Sequence, residues 1–407
     1  MAKLSYLHLG SKPKKNEIVT TLRVLSSKGF SLKKTAEEIA AESSVGTWTT
    51  IGTLTKKTFN KLSARVIYIN YTKQIVKIAY PIELFEKGNI SQLWSVIAGN
   101  IFSMKVLKSM RLIDVDFPDE YVNSFSGPAF GVNKIRALFK AKYRPLVGCI
   151  IKPKAGLTPK ETAKVAYDVF INGVDLIKDD ETLTNMTFCK FEQRVKEVSK
   201  ARDRAIKETG QRKEFIFNIT APYKQMIERA KLVKKYGGRI IMIDVITCGF
   251  SALQSFRDED LGLIIHGHRA GHSALTDDVS MLVLSKFIRL AGVDEFHTGT
   301  VVGKMDGKRK DIIEINNFLR NKFGKLKPTM PVASGGLHPG LTERLVKILG
   351  TDLIINFGGG IHGHPKGSAK GSIAARQSID AVTQGVKLSK YSESHKELEQ
   401  ALKYWKA

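Results

Sequence analysis

The sequence predicts an α/β protein in which a C-terminal (β/α)8 TIM barrel follows a smaller α+β domain of ferredoxin-like type. Three observations predict it. Short apolar runs recur eight times after residue 126, amphipathic stretches separate most of them, and polar residues crowd at the C-terminal end of the runs. The chain has 407 residues, more than the roughly 250 to 300 at which a single core stops growing, so two domains are expected. With 43% hydrophobic residues and 12 prolines it can bury large cores, which excludes the disordered and collagen-like classes.

Taken in order, residues 1–125 mix a helical pattern, LKKTAEEIAAES at 32–43, with the alternating segment ARVIYINYTKQIVKIAYPI at 64–82, as an α+β domain does. The strand-like runs of the barrel are LVGCIIKP (146–153), VDLIKDD (174–180), EFIFNIT (214–220) and RIIMIDVIT (239–247). Four more follow: LGLIIHGHR (261–269), EFHTGTVV (295–302), TMPVASGG (329–336) and DLIINFGGG (352–360). Stretches such as PKETAKVAYDVFING and LTERLVKILGT repeat apolar residues at i, i+3, i+4 and i+7, the helical spacing. Eight strand–helix units in about 280 residues match a (β/α)8 barrel, which would occupy 126–407 with a C-terminal helical tail. A doubly wound open sheet is the alternative. The strand-end polar residues favour the barrel, because barrel enzymes build their sites there.

Charge and cysteines bound the function classes. Lys and Arg total 65 against 39 Asp and Glu, a net charge of +26. The basic residues are scattered as pairs and short groups, such as Lys12-Pro13-Lys14-Lys15, with no block of five or six, so a solvated basic surface is expected and specific nucleic-acid binding is not. Cys149, Cys189 and Cys248 lie far apart and form no CxxC pair, which argues against a disulfide framework or a thiolate zinc site. No segment reads as a secretion signal or as a run long enough to span a membrane, so a cytoplasmic protein is expected.

The most informative run is Lys178-Asp179-Asp180-Glu181 at the end of the second barrel strand. Lys178 and Asp180 share a strand face, and Glu181 can swing back toward them. Two carboxylates there suit a hard cation such as Mg2+. A lysine ammonium would repel the metal unless CO2 adds to its amine and makes a carbamate, a third anionic oxygen ligand. The plain alternative is a lysine in an ion-pair network. His266 and His268 share a face of the fifth strand, and seven of the nine histidines lie between 266 and 364, which suggests a shared functional mouth. The order of HxH and lysine is the reverse of the amidohydrolase zinc site. Gly-rich ends at Ser334-Gly335-Gly336 and Phe357-Gly358-Gly359-Gly360 suit a phosphate site after strands seven and eight, while Arg269 and His297 suit a second anion. Two anion sites beside a metal imply a bisphosphate. The loop from Gly299 to Lys304 has the glycines and the cation of a closing lid.

Together these strings resemble the large subunit of ribulose-1,5-bisphosphate carboxylase/oxygenase, RuBisCO. The segments carrying the resemblance are AAESSVGTWTT, GNIF, GCIIKPKAGL, GVDLIKDDE, HGHRAGH, HTGTVVGK, ASGG and FGGG, spread over nearly the whole chain. The length and the ending GGGIHGHPKGSAKGSIAARQSIDAV look most like the archaeal-type form III enzymes. The resemblance implies carboxylation of ribulose 1,5-bisphosphate with CO2 to two 3-phosphoglycerates through a Mg2+-stabilised enediolate, with O2 as the competing substrate. It implies that carbamylated Lys178 binds Mg2+ with Asp180 and Glu181 and helps remove the C3 proton. Lys152 would move protons with support from Lys154, His268 would assist acid–base steps, and Lys304 would stabilise the new carboxylate. Arg269, His297 and Ser334 would bind substrate polar groups, and Gly336, Gly358 and Gly359 would line the other phosphate site with Thr47 and Trp48. Glu42, Thr47, Trp48 and Asn100 would come from a neighbouring subunit, making a homodimer the smallest active unit.

Four positions depart from the family's usual strings: Ile150, Gly267, Gly271 and Asn356. None is a metal or lysine position named above. An enolase or isomerase of a related sugar phosphate, without CO2 fixation, is the enzymic alternative. From another class, the basic surface would serve RNA and the site would be relict.

Overall fold

The computed structural model describes residues 5–303 and 308–407. The chain forms two compact units. One runs to Ser126 and takes in Gly271–Ala291 and Lys322–Leu326; the other comprises Gly127–Ala270, Gly292–Asn321 and Lys327–Ala407.

The first unit is built on four strands, β1 (Glu17–Ser26), β2 (Arg65–Asn70), β3 (Ile75–Pro81) and β4 (Leu107–Asp116), in the antiparallel order β2-β3-β1-β4. Helices Leu32–Glu42 and Ile90–Ala98 cross between β1 and β2 and between β3 and β4, giving the expected ferredoxin-like pattern. Ser31 starts the first helix by accepting a hydrogen bond from the Lys34 amide, and Ala36, Ile39 and Ala40 form its buried face. The central strand β1 buries Ile18, Leu22 and Val24 completely, an alternation that its own residues carry. Helix Met281–Leu290, which the expected boundary at 125 assigned to the barrel, packs in this unit instead. Its Phe287 meets Trp94 edge-on at 5.0 Å, and Lys286 Nζ donates to Asp114 Oδ1 at 2.6 Å and to the Val115 carbonyl.

The second unit is a closed parallel barrel. Its strands are β5 (Leu146–Ile150), β6 (Leu176–Lys178), β7 (Glu214–Asn218), β8 (Ile240–Asp244), β9 (Ile264–His268), β10 (Glu295–Gly299), β11 (Met330–Ser334) and β12 (Ile354–Phe357). They close in the order β10-β11-β12-β5-β6-β7-β8-β9, so all eight predicted runs are barrel strands. One cluster fills the end opposite the site: Leu146, Leu176, Ile216, Ile240, Ile264, Met330 and Ile354, with Val132 and Ile135 from helix Gly131–Leu138. Each such fully buried side chain contributes about 1.5 to 3 kcal/mol. Strand β10 adds nothing to this cluster; Glu295 and His297 stand on it instead. Among the described residues no helix is long and apolar enough to cross a membrane.

Candidate active site

Strand β6 ends at Lys178, whose side chain is fully buried. Its Nζ donates to the Asp179 carbonyl at 2.9 Å, lies 3.6 Å from Met242 Sδ and 3.6 Å from Glu181 Oε2. Burial drives the lysine pKa below its ordinary value, against the opposing pull of Glu181, Asp180, Asp244 and Asp179. A neutral amine is thereby favoured over what a free lysine shows. The two neighbours are sorted as the strand period predicts. Asp179 turns away to a buried pair with Arg194 at 3.2 Å and accepts the Asn218 amide, while Asp180 accepts from Lys152 Nζ at 2.9 Å. Burial raises the Asp180 carboxyl, and hydrogen bonds from Lys152 and Thr182 outweigh that and bring it below its usual range.

Glu181 Oε2 lies 3.5 Å from His268 Nε2, and the other nitrogen of that ring meets Asp244 Oδ1 at 2.9 Å. Register explains the pair, because Asp244 of β8 stands opposite His268 of β9. His266, one period earlier on β9, is buried and bonded through Nδ1 to Glu295 Oε2 and through Nε2 to His297 Nε2. His297 Nδ1 lies 2.8 Å from Ser334 Oγ. His297 is therefore engaged at both nitrogens.

The other residues follow the ends of β5, β9, β11 and β12. Arg269 bonds no acceptor among the described residues, and burial lowers its guanidinium pKa to about 10. It reaches over Gly299, where a Cβ would come within 2.6 Å of Nη2. Gly335 and Gly336 have φ of 112° and 65°, which only glycine adopts without strain. A Cβ at Gly359 would meet nothing within 4 Å, and one at Gly358 would sit 3.8 Å from Lys152 Cε. Lys152 is thus brought between the carboxylates of β6 and the glycines after β12, and Lys154 is exposed beyond it. In the first unit Glu42 ends helix Leu32–Glu42, Thr47 and Asn100 are exposed, and Trp48 is 91% exposed. Lys304 lies outside the described residues.

A metal would have Asp180 and Glu181 as its oxygen donors. Among the described residues no three His, Cys, Asp or Glu side chains converge to hold one. With an ammonium at Lys178 the donor set is short of an anion, and with a carbamate there it fits Mg2+. Sequence reasoning passed over Asp244 and Glu295, although each ends or opens an apolar run where a buried carboxylate is unusual. Of the departures, Gly267 has no room for a side chain, since a Cβ would meet Val293 at 2.8 Å and Val245 at 3.1 Å. Gly271 has φ of 84°, which again suits glycine. Both amide atoms of Asn356 are buried without a partner.

The family model described as "Ribulose bisphosphate carboxylase large chain, catalytic domain" matches residues 131–405, and that of the N-terminal domain matches residues 5–121. The chain is 45% identical to a ribulose bisphosphate carboxylase of Methanocaldococcus jannaschii, covering 99% of this chain and 100% of that protein. It is also 45% identical to one of Pyrococcus abyssi, over 99% and 96%. Among solved structures, the octameric enzyme of Pyrococcus horikoshii in complex with sulfate ion superposes with a TM-score of 0.94 at 44% identity, covering 98% of this chain and 96% of that one. The dimeric archaeal enzyme of Hyperthermus butylicus gives 0.92 at 42%, with 98% of each chain covered.

Proposed function

The chain belongs to the RuBisCO large-chain family, archaeal type, and is a ribulose bisphosphate carboxylase; from that premise we propose how its own residues carry out the reaction. The observation that supports the reading best is the buried Lys178 amine between the Lys152–Asp180 pair and the Glu181–His268–Asp244 chain.

The family generally uses Mg2+ and a carbamylated lysine. In this chain the amine of Lys178 adds to the carbon of CO2, forming the N–C bond and releasing one proton, and the carbamate joins Asp180 and Glu181 as an anionic oxygen ligand. When bound, Mg2+ supplies polarisation of the C2 carbonyl of ribulose 1,5-bisphosphate. The Lys178 carbamate takes the C3 proton, leaving an enediolate whose C2 attacks the carbon of CO2; water then adds at C3 and the C2–C3 bond breaks to give two 3-phosphoglycerates. Asp244 holds His268 in one orientation for acid–base work on the hydrated intermediate. Lys152, within reach of both Asp180 and the Gly358 side, returns a proton to the product. Arg269, with no acceptor among the described residues, binds one phosphate, and the backbone of Gly336, Gly358 and Gly359 binds the other. Lys304 stabilises the new carboxylate. Glu42, Thr47, Trp48 and Asn100 serve the site of a second copy, which makes a homodimer the working unit.

Activation tests this directly. Protein incubated with bicarbonate and Mg2+ before substrate should show full initial velocity, and untreated protein should show a lag. Lys178→Ala should show neither lag nor activity while its circular dichroism stays native. Full activity in that variant would remove the carbamate from the reaction.

A further inference from the structure

Across β9 and β10 the register sets Glu295 opposite His266, and the two side chains meet inside the barrel. From there three hydrogen bonds lead to the site. Glu295 Oε2 is 2.7 Å from His266 Nδ1, His266 Nε2 is 2.8 Å from His297 Nε2, and His297 Nδ1 is 2.8 Å from Ser334 Oγ. The two imidazoles stand edge to face at 83°. Glu295 and His266 are wholly buried and His297 is 2% exposed, so water does not share these bonds.

A neutral imidazole carries one N–H, so where two rings meet nitrogen to nitrogen one donates and the other accepts. That single choice fixes every bond in the chain. If His266 carries its proton on Nε2, its Nδ1 accepts from the carboxyl of Glu295, and His297 is left with its proton on Nδ1. If His297 carries its proton on Nε2, then Nδ1 accepts from Ser334 and His266 donates to a carboxylate. The buried end decides between them. An ionised Glu295 would leave a charged Oε1 buried with no partner among the described residues; burial and the nearby Asp294 and Glu214 carboxylates raise its pKa well above the ordinary value, and burial lowers that of His266. With no partner for Oε1 among the described residues, the carboxyl proton belongs on Oε2, where an acceptor stands.

We propose that Glu295 is a positioning residue: through His266 it keeps the proton of His297 on Nδ1, directed at Ser334 and the substrate oxygens beside it. His297 is then a fixed donor. Ser334, which receives that bond, keeps its own hydroxyl proton for substrate. What His297 and Ser334 hold rests on the carboxylase reading above; the placement of the protons does not.

Two variants and one map test it. Glu295→Gln still offers an N–H to His266 Nδ1, whereas Glu295→Met has similar length and no donor. In the activated enzyme, Gln should keep KM for ribulose 1,5-bisphosphate within about threefold of native, and Met should raise it about tenfold, with kcat changing less, as expected for one lost hydrogen bond to an anion. Neutron diffraction of the native protein should place a deuteron on His297 Nδ1 and on His266 Nε2. A deuteron on His297 Nε2, or a native KM in Glu295→Met, overturns the proposal. Should Glu295→Met fail to fold, the neutron map decides alone. If Ser334→Ala keeps a native KM while the map shows the expected deuterons, the assignment of Ser334 to substrate has failed and the proton placement stands.

Discussion

Lys178 is a cation by its chemistry and a poor one by its position. Complete burial lowers its pKa although four carboxylates oppose that shift. The neutral amine that adds CO2 grows as pH rises through this lowered value, so activation by bicarbonate and Mg2+ should increase with pH and set in at lower pH than for a free lysine. Activation rates measured from pH 6 to 9 check this, and a rate that falls with rising pH would contradict it. Asp244 gives a second expectation at this scale. Asp244→Asn removes the charge that orients His268, and kcat should drop on the order of 100-fold with KM changed little. The placement of Lys152, Lys178, His268 and the acids beside them at strand ends was legible from the apolar runs that precede them. The partners Asp244 and Glu295 were not, because no one-dimensional pattern marks which carboxylate a register will set beside a histidine.

At the scale of elements, the turn after β6 is held by a side chain from the following helix, Phe191–Thr209. Arg194 of that helix is fully buried, pairs with Asp179 at 3.2 Å and donates to the Thr184 and Cys189 carbonyls at 2.7 and 3.1 Å. One guanidinium therefore braces both sides of the segment carrying Asp180 and Glu181. Arg194→Ala leaves a buried carboxylate uncompensated and should cost about 3–5 kcal/mol, read as a lower denaturant midpoint with an unchanged slope. A loss under about 1 kcal/mol would show that Asp179 is already neutral. The eight barrel strands were readable because each is a short apolar run between helical periods. Strands β1 and β4 are not marked by such runs, although Ile18, Leu22 and Val24 alternate in β1, and helix Met281–Leu290 lies within the catalytic-domain match yet packs in the first compact unit. That helix is buried from Val283 to Leu290, with Ser285, Lys286 and Arg289 among its buried residues, and its pattern does not mark what it is buried against.

For the whole molecule, the net charge of +26 is expected to sit on a solvated basic surface. Among the described residues eight buried Lys and Arg are matched by eight buried Asp and Glu, so the surplus belongs to the more exposed residues. A surface of that sign raises the encounter rate of a sugar bisphosphate and is screened by salt over about 8–10 Å. kcat/KM for ribulose 1,5-bisphosphate should fall several-fold between about 20 and 200 mM salt, with kcat nearly constant; a salt-independent kcat/KM would deny the charge any part in steering. The most direct test of the carboxylase itself is label transfer. Activated protein is supplied with labelled CO2 and ribulose 1,5-bisphosphate under anaerobic conditions, and the quenched mixture is acidified to drive off free CO2. One acid-stable label per bisphosphate consumed, recovered in 3-phosphoglycerate, is the predicted result; consumption of the bisphosphate with no acid-stable label would contradict it.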